Sequence, residues 1–355
     1  MPMIVLGIES SCDETSVGIV KNGDTLLACS TASSMSIHAK YGGVVPEIAA
    51  REHIQAMTPT LKDALNQSGL DWKDIDAIAV TNGAGLGGSL LIGVLTARTL
   101  AITKNKPLYA CNHVEGHVYA NFLTKTALSG YNLPKKQPNF PLLALIVSGG
   151  HTQLVLFQDH FNYQLLGQTH DDAIGEAFDK VAKILGLPYP GGPSIAKSAS
   201  GGNPNALQLP KARMENRYDF SFSGLKTAVL RATQNILGVD HTFESFRLAE
   251  RLNASQRKDI SASFQRVAIE TVVDKTLDAF RTYAVNSVVI AGGVASNLEL
   301  RHQLSERLTI NIEYTDPKLC TDNGAMIAAL GCFKMKCDQP TADPNSLDIE
   351  PNLSM

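Results

Sequence analysis

Apolar residues fall in short runs separated by polar turns. Residues 4–8 are apolar, residues 9–15 form a polar turn, residues 16–20 are apolar again, and Asn22-Gly23-Asp24 turns into a third apolar piece, residues 25–29. Runs of this length, bounded by turn formers, predict strands. The same grammar returns half a chain later: residues 142–147, the turn Ser148-Gly149-Gly150-His151-Thr152, then residues 153–157 and 163–166. The ends of the two halves also correspond. Residues 75–80 predict a strand, 83–88 a glycine turn, 90–103 a helix and 108–111 a strand. In the second half, residues 287–291, Gly292-Gly293, residues 297–308 and residues 310–314 repeat that order.

Strands alternating with helices imply an α/β fold with mostly parallel sheets covered on both faces, and a doubled unit implies two lobes around a cleft. Helical spacing of Phe264, Val267, Ala268, Thr271 and Val272 predicts a helical insertion over 249–283. The expected division is an N-terminal lobe over 1–130, completed by about 318–335, and a C-terminal lobe over 140–317. The linker at 129–141 carries Gly130, Pro134, Pro138 and Pro141. Residues 336–355, with Pro340, Pro344 and Pro351, read as a flexible tail.

Composition narrows the classes. The length of 355 residues suits two domains. With 44% hydrophobic and 18% charged residues, disorder from high charge is excluded. A net charge of −3 argues against coating a polyanion through bulk charge. Nucleic-acid contact then requires a local patch, for which Lys211, Arg213 and Arg217, and Arg247, Arg251, Arg257 and Lys258, are candidates; ordinary solvated surface explains them equally well. Six cysteines without a C-x-x-C pair suggest neither a disulfide scaffold nor a zinc ribbon, and a reduced cytoplasm is the simplest compartment. No signal peptide opens the chain, and the apolar runs fall far short of the ~20 residues of a membrane helix, so no membrane is expected.

Candidate chemistry gathers at strand ends. Turns there let backbone N–H groups approach a phosphate, and four are candidates: the polar turn 9–15 and the glycine turns 83–89, 148–152 and 292–297. Gly83-x-Gly85-x-x-Gly88 lacks the acidic residue expected about 20 positions on, which speaks against a dinucleotide site, and the P-loop pattern is absent. Each turn taken singly also fits mere strand termination. His113 and His117, four apart after a predicted strand and capped by Asn112, share a helix face and could hold a divalent ion; a structural pair has the same spacing. Asp322, at a helix start in the matching place of the second half, would face them across the cleft as a third ligand, or serve only as an N-cap.

The sequence blocks carrying these features resemble a known family. Gly7-Ile8-Glu9-Ser10-Ser11-Cys12-Asp13-Glu14-Thr15, Asn112-His113-Val114-Glu115-Gly116-His117, Val147-Ser148-Gly149-Gly150-His151-Thr152, Phe220-Ser221-Phe222-Ser223-Gly224-Leu225-Lys226-Thr227 and Ala291-Gly292-Gly293-Val294-Ala295-Ser296-Asn297 are similar to the signature blocks of the tRNA adenosine threonylcarbamoyltransferase (TsaD) family. That resemblance implies a duplicated actin-like ATPase fold, shared by sugar kinases, heat-shock chaperones and actin, with a nucleotide cleft. It implies transfer of threonylcarbamoyl from threonylcarbamoyl-AMP to the N6 amine of the adenosine 3′ of the anticodon in tRNAs reading ANN codons. By motif, His113, His117 and Asp322 match ligands of one divalent ion, Fe2+ or Zn2+. Ile146, Val147, Ser148, Gly149, Gly150, Asp179, Gly192 and Asn297 match the nucleotide-substrate contacts. Asp13 and Glu14 suit orienting the amine or phosphate, and the likeness to the bacterial form implies a non-catalytic paralogue and a small ATPase as partner subunits. Ala84 departs from the family's proline in its turn. Cys12 and Ser148 lie outside any G-x-S-x-G nucleophile context, and turn packing explains both. The rival function is an ATP-dependent sugar kinase or ATPase of the same fold, which would hold Mg2+ through oxygen ligands rather than imidazoles.

Overall fold

The computed structural model describes residues 2–355. Two compact units divide the chain: Met1–Asn139 with Glu313–Met355, and Phe140–Ile312.

In the first unit, β1 (Ile4–Glu9), β2 (Glu14–Lys21) and β3 (Thr25–Ser33) form an antiparallel meander. β4 (Ala77–Gly83) and β5 (Leu108–Asn112) add in parallel beyond β1, and the short β6 (Lys125–Thr126) pairs with β3, giving the order β5-β4-β1-β2-β3-β6. Side-chain alternation sorts the faces. Leu6, Ile8, Val17 and Ile19 enter one core with Met57 and Ala64 of the helix Pro46–Ser68 and Val94 and Ala97 of the helix Gly87–Lys104. On the opposite face Gly7 pairs with Gly18, and the helix Gly324–Lys336 lies directly on them. A Cβ on Gly18 would stand 2.2 Å from the Ala325 nitrogen, so only glycine permits this backbone approach. The approach fixes where the residues just before Gly324 are placed.

In the second unit, β7 (Leu142–Val147), β8 (Thr152–Asp159) and β9 (Asn162–Gln168) repeat the meander, and β10 (Ser287–Ala291) adds in parallel to β7. The order β10-β7-β8-β9 is that of β4-β1-β2-β3, so the duplication read from the sequence is present. The helix Ala254–Thr282 occupies the expected helical insertion, its start fixed by a reciprocal cap between Asn253 and Gln256.

Two expectations fail. Residues 310–314 form no strand, because here the chain leaves the second unit for the first. The Glu313 carboxylate accepts from the Lys136 amide at 3.0 Å and Asp316 from the Asn132 amide at 2.7 Å, contacts that replace a sheet ladder. Residues 336–355 are also no loose tail. They lie along the first unit, with Ala342 N donating to Leu108 O and Glu350 N to Asn82 O. Arg98 bonds the carbonyls of Pro344, Asn345 and Leu347, while Leu347 and Ile349 pack on the core. Among the described residues no helix is long and apolar enough to cross a membrane.

Candidate metal centre

β5 ends at Asn112, whose side-chain oxygen accepts from Val114 N at 2.8 Å and Glu115 N at 3.3 Å and so starts the helix His113–Tyr119. Helical spacing brings the buried rings of His113 and His117 edge to face, centroids 4.7 Å apart. Asp322 arrives from the other end of the chain. Its neighbour Asn323 caps the helix Gly324–Lys336 by accepting from Met326 N at 2.9 Å, so the alternative of Asp322 as N-cap is not realised. Asp322 Oδ1 lies 3.2 Å from His117 Nε2 and 3.5 Å from His113 Nε2, and one ligand atom from each of the three residues lies within 4.8 Å of the others. All three residues belong to the first unit. The expectation that Asp322 faces the histidines across a cleft is corrected: the chain re-enters the first unit at Glu313, and Asp322 reaches them within that unit.

Sequence reasoning missed Glu9. It is fully buried at the end of β1, where Oε1 accepts from Ser11 N at 2.6 Å and Oε2 accepts from the Thr81 hydroxyl at 2.5 Å and stands 3.2 Å from His113 Nδ1. A carboxylate at Nδ1 favours a proton on that nitrogen, so that the proton a metal would displace is the one on Nε2, beside Asp322. The available signal was a lone acid closing an otherwise apolar strand.

The donor set fits a divalent ion. His117 Nδ1 is buried without a hydrogen-bond partner and Nε2 faces only the Asp322 carboxylate at 3.2 Å, an arrangement that suits an imidazole ligating through Nε2. Burial, then the negative charges of Asp322 and Asp13, push the Glu14 carboxyl up to about 10. Burial favours neutral His113, yet Asp322 and Glu9 outweigh it and raise the ring to about 9. A bound cation would relieve this crowding of negative charge. Asp13 and Glu14 occupy the turn into β2, where Glu14 accepts from Ser33 Oγ at 3.2 Å and the Asp13 carbonyl accepts from Ser34 Oγ at 2.9 Å. Burial, then Asp322 and Asp13, hold the Cys12 thiol protonated, which suits packing rather than nucleophilic attack.

The glycine turns separate into two kinds. In the first unit, Gly85 N donates to Pro351 O and Leu86 N to Ser11 O, while a Cβ on Gly83 would meet Glu350 O at 2.1 Å. That turn is filled by the chain itself, so its glycines serve packing and the phosphate reading is corrected there. In the second unit, Ser148 N donates to His151 O and His151 N to Ser148 Oγ, which bends the loop after β7. Space above Gly149, Gly150 and Gly192 is open, with no atom within 4 Å of a built Cβ. The Ile146 and Val147 side chains are fully buried and offer a ligand only their backbone. Asp179 Oδ1 accepts from Gly191 N at 2.6 Å, tying the helix Ile174–Ile184 to the start of Gly191–Ala199. Asn297 caps the helix Leu298–Arg307 through Glu299 N and Leu300 N, and its amide donates to Gln265.

Two members of one basic cluster are paired within the second unit. Lys211 pairs with Glu270 and Asp274, and Arg217 with Asp278. Arg247 and Arg251 lie over Phe243, whereas Arg257 and Lys258 line a cavity.

A sheet plan used twice marks a chain of the actin and sugar-kinase fold, and one copy carries a two-histidine, one-carboxylate cluster that could hold a metal ion. HypF from T. kodakarensis shares this fold at a TM-score of 0.58 and 13% identity, over 95% of this chain and 49% of that one. Residues 25–329 match the family described as tRNA N6-adenosine threonylcarbamoyltransferase, TsaD, and the chain belongs to that family. A relative of that name from Thermomicrobium roseum is 47% identical over 93% of this chain and 92% of its own length. Another, from Dehalococcoides mccartyi, is 44% identical over 99% of both chains.

Proposed function

We propose that this chain transfers a threonylcarbamoyl group from threonylcarbamoyl-AMP to the N6 amine of the adenosine 3′ of the anticodon in tRNAs reading ANN codons. The observation that carries this reading furthest is the His113, His117 and Asp322 cluster, backed by Glu9, within a chain of the TsaD family. The sugar-kinase alternative is not favoured, since family membership and the imidazole-rich donor set both speak for the transferase.

In the reaction the amine nitrogen attacks the carbonyl carbon of the mixed anhydride, the new C–N bond forms, the C–O bond to phosphate breaks, AMP departs and the amine sheds a proton. An adenine amine is a weak nucleophile, so catalysis rests on positioning and on stabilising the carbonyl and phosphate oxygens. A divalent ion held by His113, His117 and Asp322, iron or zinc, would supply Lewis-acid stabilisation of those oxygens. Glu9, 3.2 Å from His113 Nδ1, would hold the proton on that nitrogen and leave Nε2 to the ion. Asp13 and Glu14 are assigned to orienting the amine or phosphate. Ser148, Gly149, Gly150 and Gly192 would receive the adenylate through backbone N–H groups, which the open space above the three glycines supports. The backbone of Ile146 and Val147, with Asp179 and Asn297, would frame that position.

A related non-catalytic subunit and a small ATPase are proposed as partners in the cytoplasm. Leu91, Leu95 and Ile102 form one exposed stripe on the helix Gly87–Lys104, and Ile54 is exposed on the helix packed beside it. Such an apolar face suits a partner subunit. The proposal is tested with H113A/H117A, which should lose bound metal and modification together while keeping its secondary structure by circular dichroism. A metal-free, fully active double variant would refute it.

A further inference from the structure

In the second unit, a cavity of about 570 Å³ lies between one face of the helix Gly191–Ala199, the loop before it and the start of the helix Ala254–Thr282. One wall is apolar, with Tyr189, Pro190 and Pro193; Lys197, Arg257 and Lys258 contribute the charge. Among the described residues lining it, none is acidic. The nearest acid in sequence, Asp259, accepts instead from Asn203 N at 2.8 Å. None of Ser148, Gly149, Gly150, Asp179, Gly192 and Asn297 lines the cavity, whose Pro193 adjoins Gly192 in the chain.

Two features mark the cavity as built for an anion. Arg257 is held by its Nη2 donating 2.9 Å to Ala249 O, while its Nε is buried without a partner. The bond to Ala249 O anchors the guanidinium in the cavity wall, a forked donor group whose geometry suits phosphate oxygens. The second feature is a broken local rule. The first turn of the helix Ala254–Thr282 has no acid, and Arg257 and Lys258 are its fourth and fifth residues, where the helix macrodipole disfavours cations. Positive charge placed against a positive helix end strengthens the field that an incoming phosphate meets.

We infer that this cavity is a tRNA-binding subsite that takes one nucleotide unit, its phosphodiester on Lys197, Arg257 and Lys258 and its base against the proline and tyrosine wall. The inference rests on the tRNA-modifying reading above and gives it a contact surface. Its volume suits a group of that size, and cations beside flat apolar side chains are what a phosphate and a base face require. It also resolves how a chain of net charge −3 could engage a polyanion, through a local patch rather than bulk charge.

Lys197 and Lys258 are exposed, so K197Q/K258Q should fold normally. Fluorescence anisotropy of labelled, unmodified tRNA is measured against salt for the full-length protein. Losing two phosphate contacts should lower the slope of log K against log salt by about 1.4–1.8 and weaken binding tenfold or more at 100 mM salt. The control K62Q/K73Q, changed at exposed lysines of the first unit, should keep the parent slope. Binding of free AMP should be the same in all three proteins. An unchanged slope in K197Q/K258Q, an equal loss in the control, or a loss confined to AMP would each overturn the assignment while leaving the functional reading intact. Parent protein that neither binds nor modifies tRNA would overturn both.

Discussion

Replacing Glu9 by Gln tests how the histidine pair is set up. Glu9 is an acceptor at both oxygens: Oε1 takes the Ser11 N–H, and Oε2 takes the Thr81 hydroxyl and faces His113 Nδ1. Glutamine offers one acceptor and one NH2. With its NH2 toward Ser11 N, two donors would oppose each other at 2.6 Å in a fully buried position. With the NH2 toward His113, the ring must present a lone pair at Nδ1 and carry its proton on Nε2, the nitrogen beside Asp322. Either arrangement spoils ligation at His113. Losing such a buttress costs about 10- to 100-fold in metal affinity, or roughly 1.4–2.7 kcal/mol. The assay is competition between the protein and a chromophoric chelator for zinc or iron at neutral pH, with circular dichroism as the folding check. E9Q that folds and binds metal as tightly as the parent would refute the reasoning.

Further predictions follow from the caps, buried contacts and tail. N297A should lose about 1 kcal/mol of stability along with adenylate affinity because it removes the cap of Leu298–Arg307, whereas N297D keeps the cap and should lose only adenylate affinity; equal melting of the two in calorimetry would contradict this. Asp171 accepts from Ser221 Oγ, Ser223 Oγ and Phe222 N, and these bonds outweigh burial and hold its carboxyl below the ordinary value of 3.8. Its stabilisation is therefore present above about pH 4 and lost as the pH falls through the lowered value; because the carboxylate is exposed and screened by solvent, D171A should be less stable at pH 7 by no more than about 1 kcal/mol and show a flatter acid limb in urea titrations. Ending the chain after Cys337 should cost about 3 kcal/mol or more and lower Tm by about 10 °C, since Arg98 loses three carbonyl partners and Leu347 and Ile349 leave the core.

The sequence made much of the fold legible where pattern and packing agree. Alternating and continuous apolar runs located β1 to β3 and β7 to β10, because each strand buries its apolar residues against helices of its own unit. Residues 310–314 carried the same apolar signal and still formed no strand, since partners far along the chain, Asn132 and Lys136, claim the polar groups that follow. The order in residues 336–355 was invisible for a related reason: backbone atoms make most of its contacts, and Arg98 gives no local sign that carbonyls from Pro344 to Leu347 will surround it. At the candidate metal centre, spacing singled out His113 and His117, while Asp322 emerged from the repeat and the family likeness. Glu9 stayed hidden because a single acid in a polar turn carries no periodic signal. The glycine turn at 83–88 shows the reverse error, a phosphate-like pattern used for packing.

The most direct test is reconstitution. Metal-loaded chain is incubated with unmodified tRNA, isotopically labelled threonylcarbamoyl-AMP and the two proposed partner subunits, and the tRNA is digested and its nucleosides weighed by mass spectrometry. The account predicts labelled threonylcarbamoyladenosine from the position 3′ of the anticodon, absent with H113A/H117A. Unmodified adenosine under these conditions, or label transfer undiminished in the double variant, would contradict it.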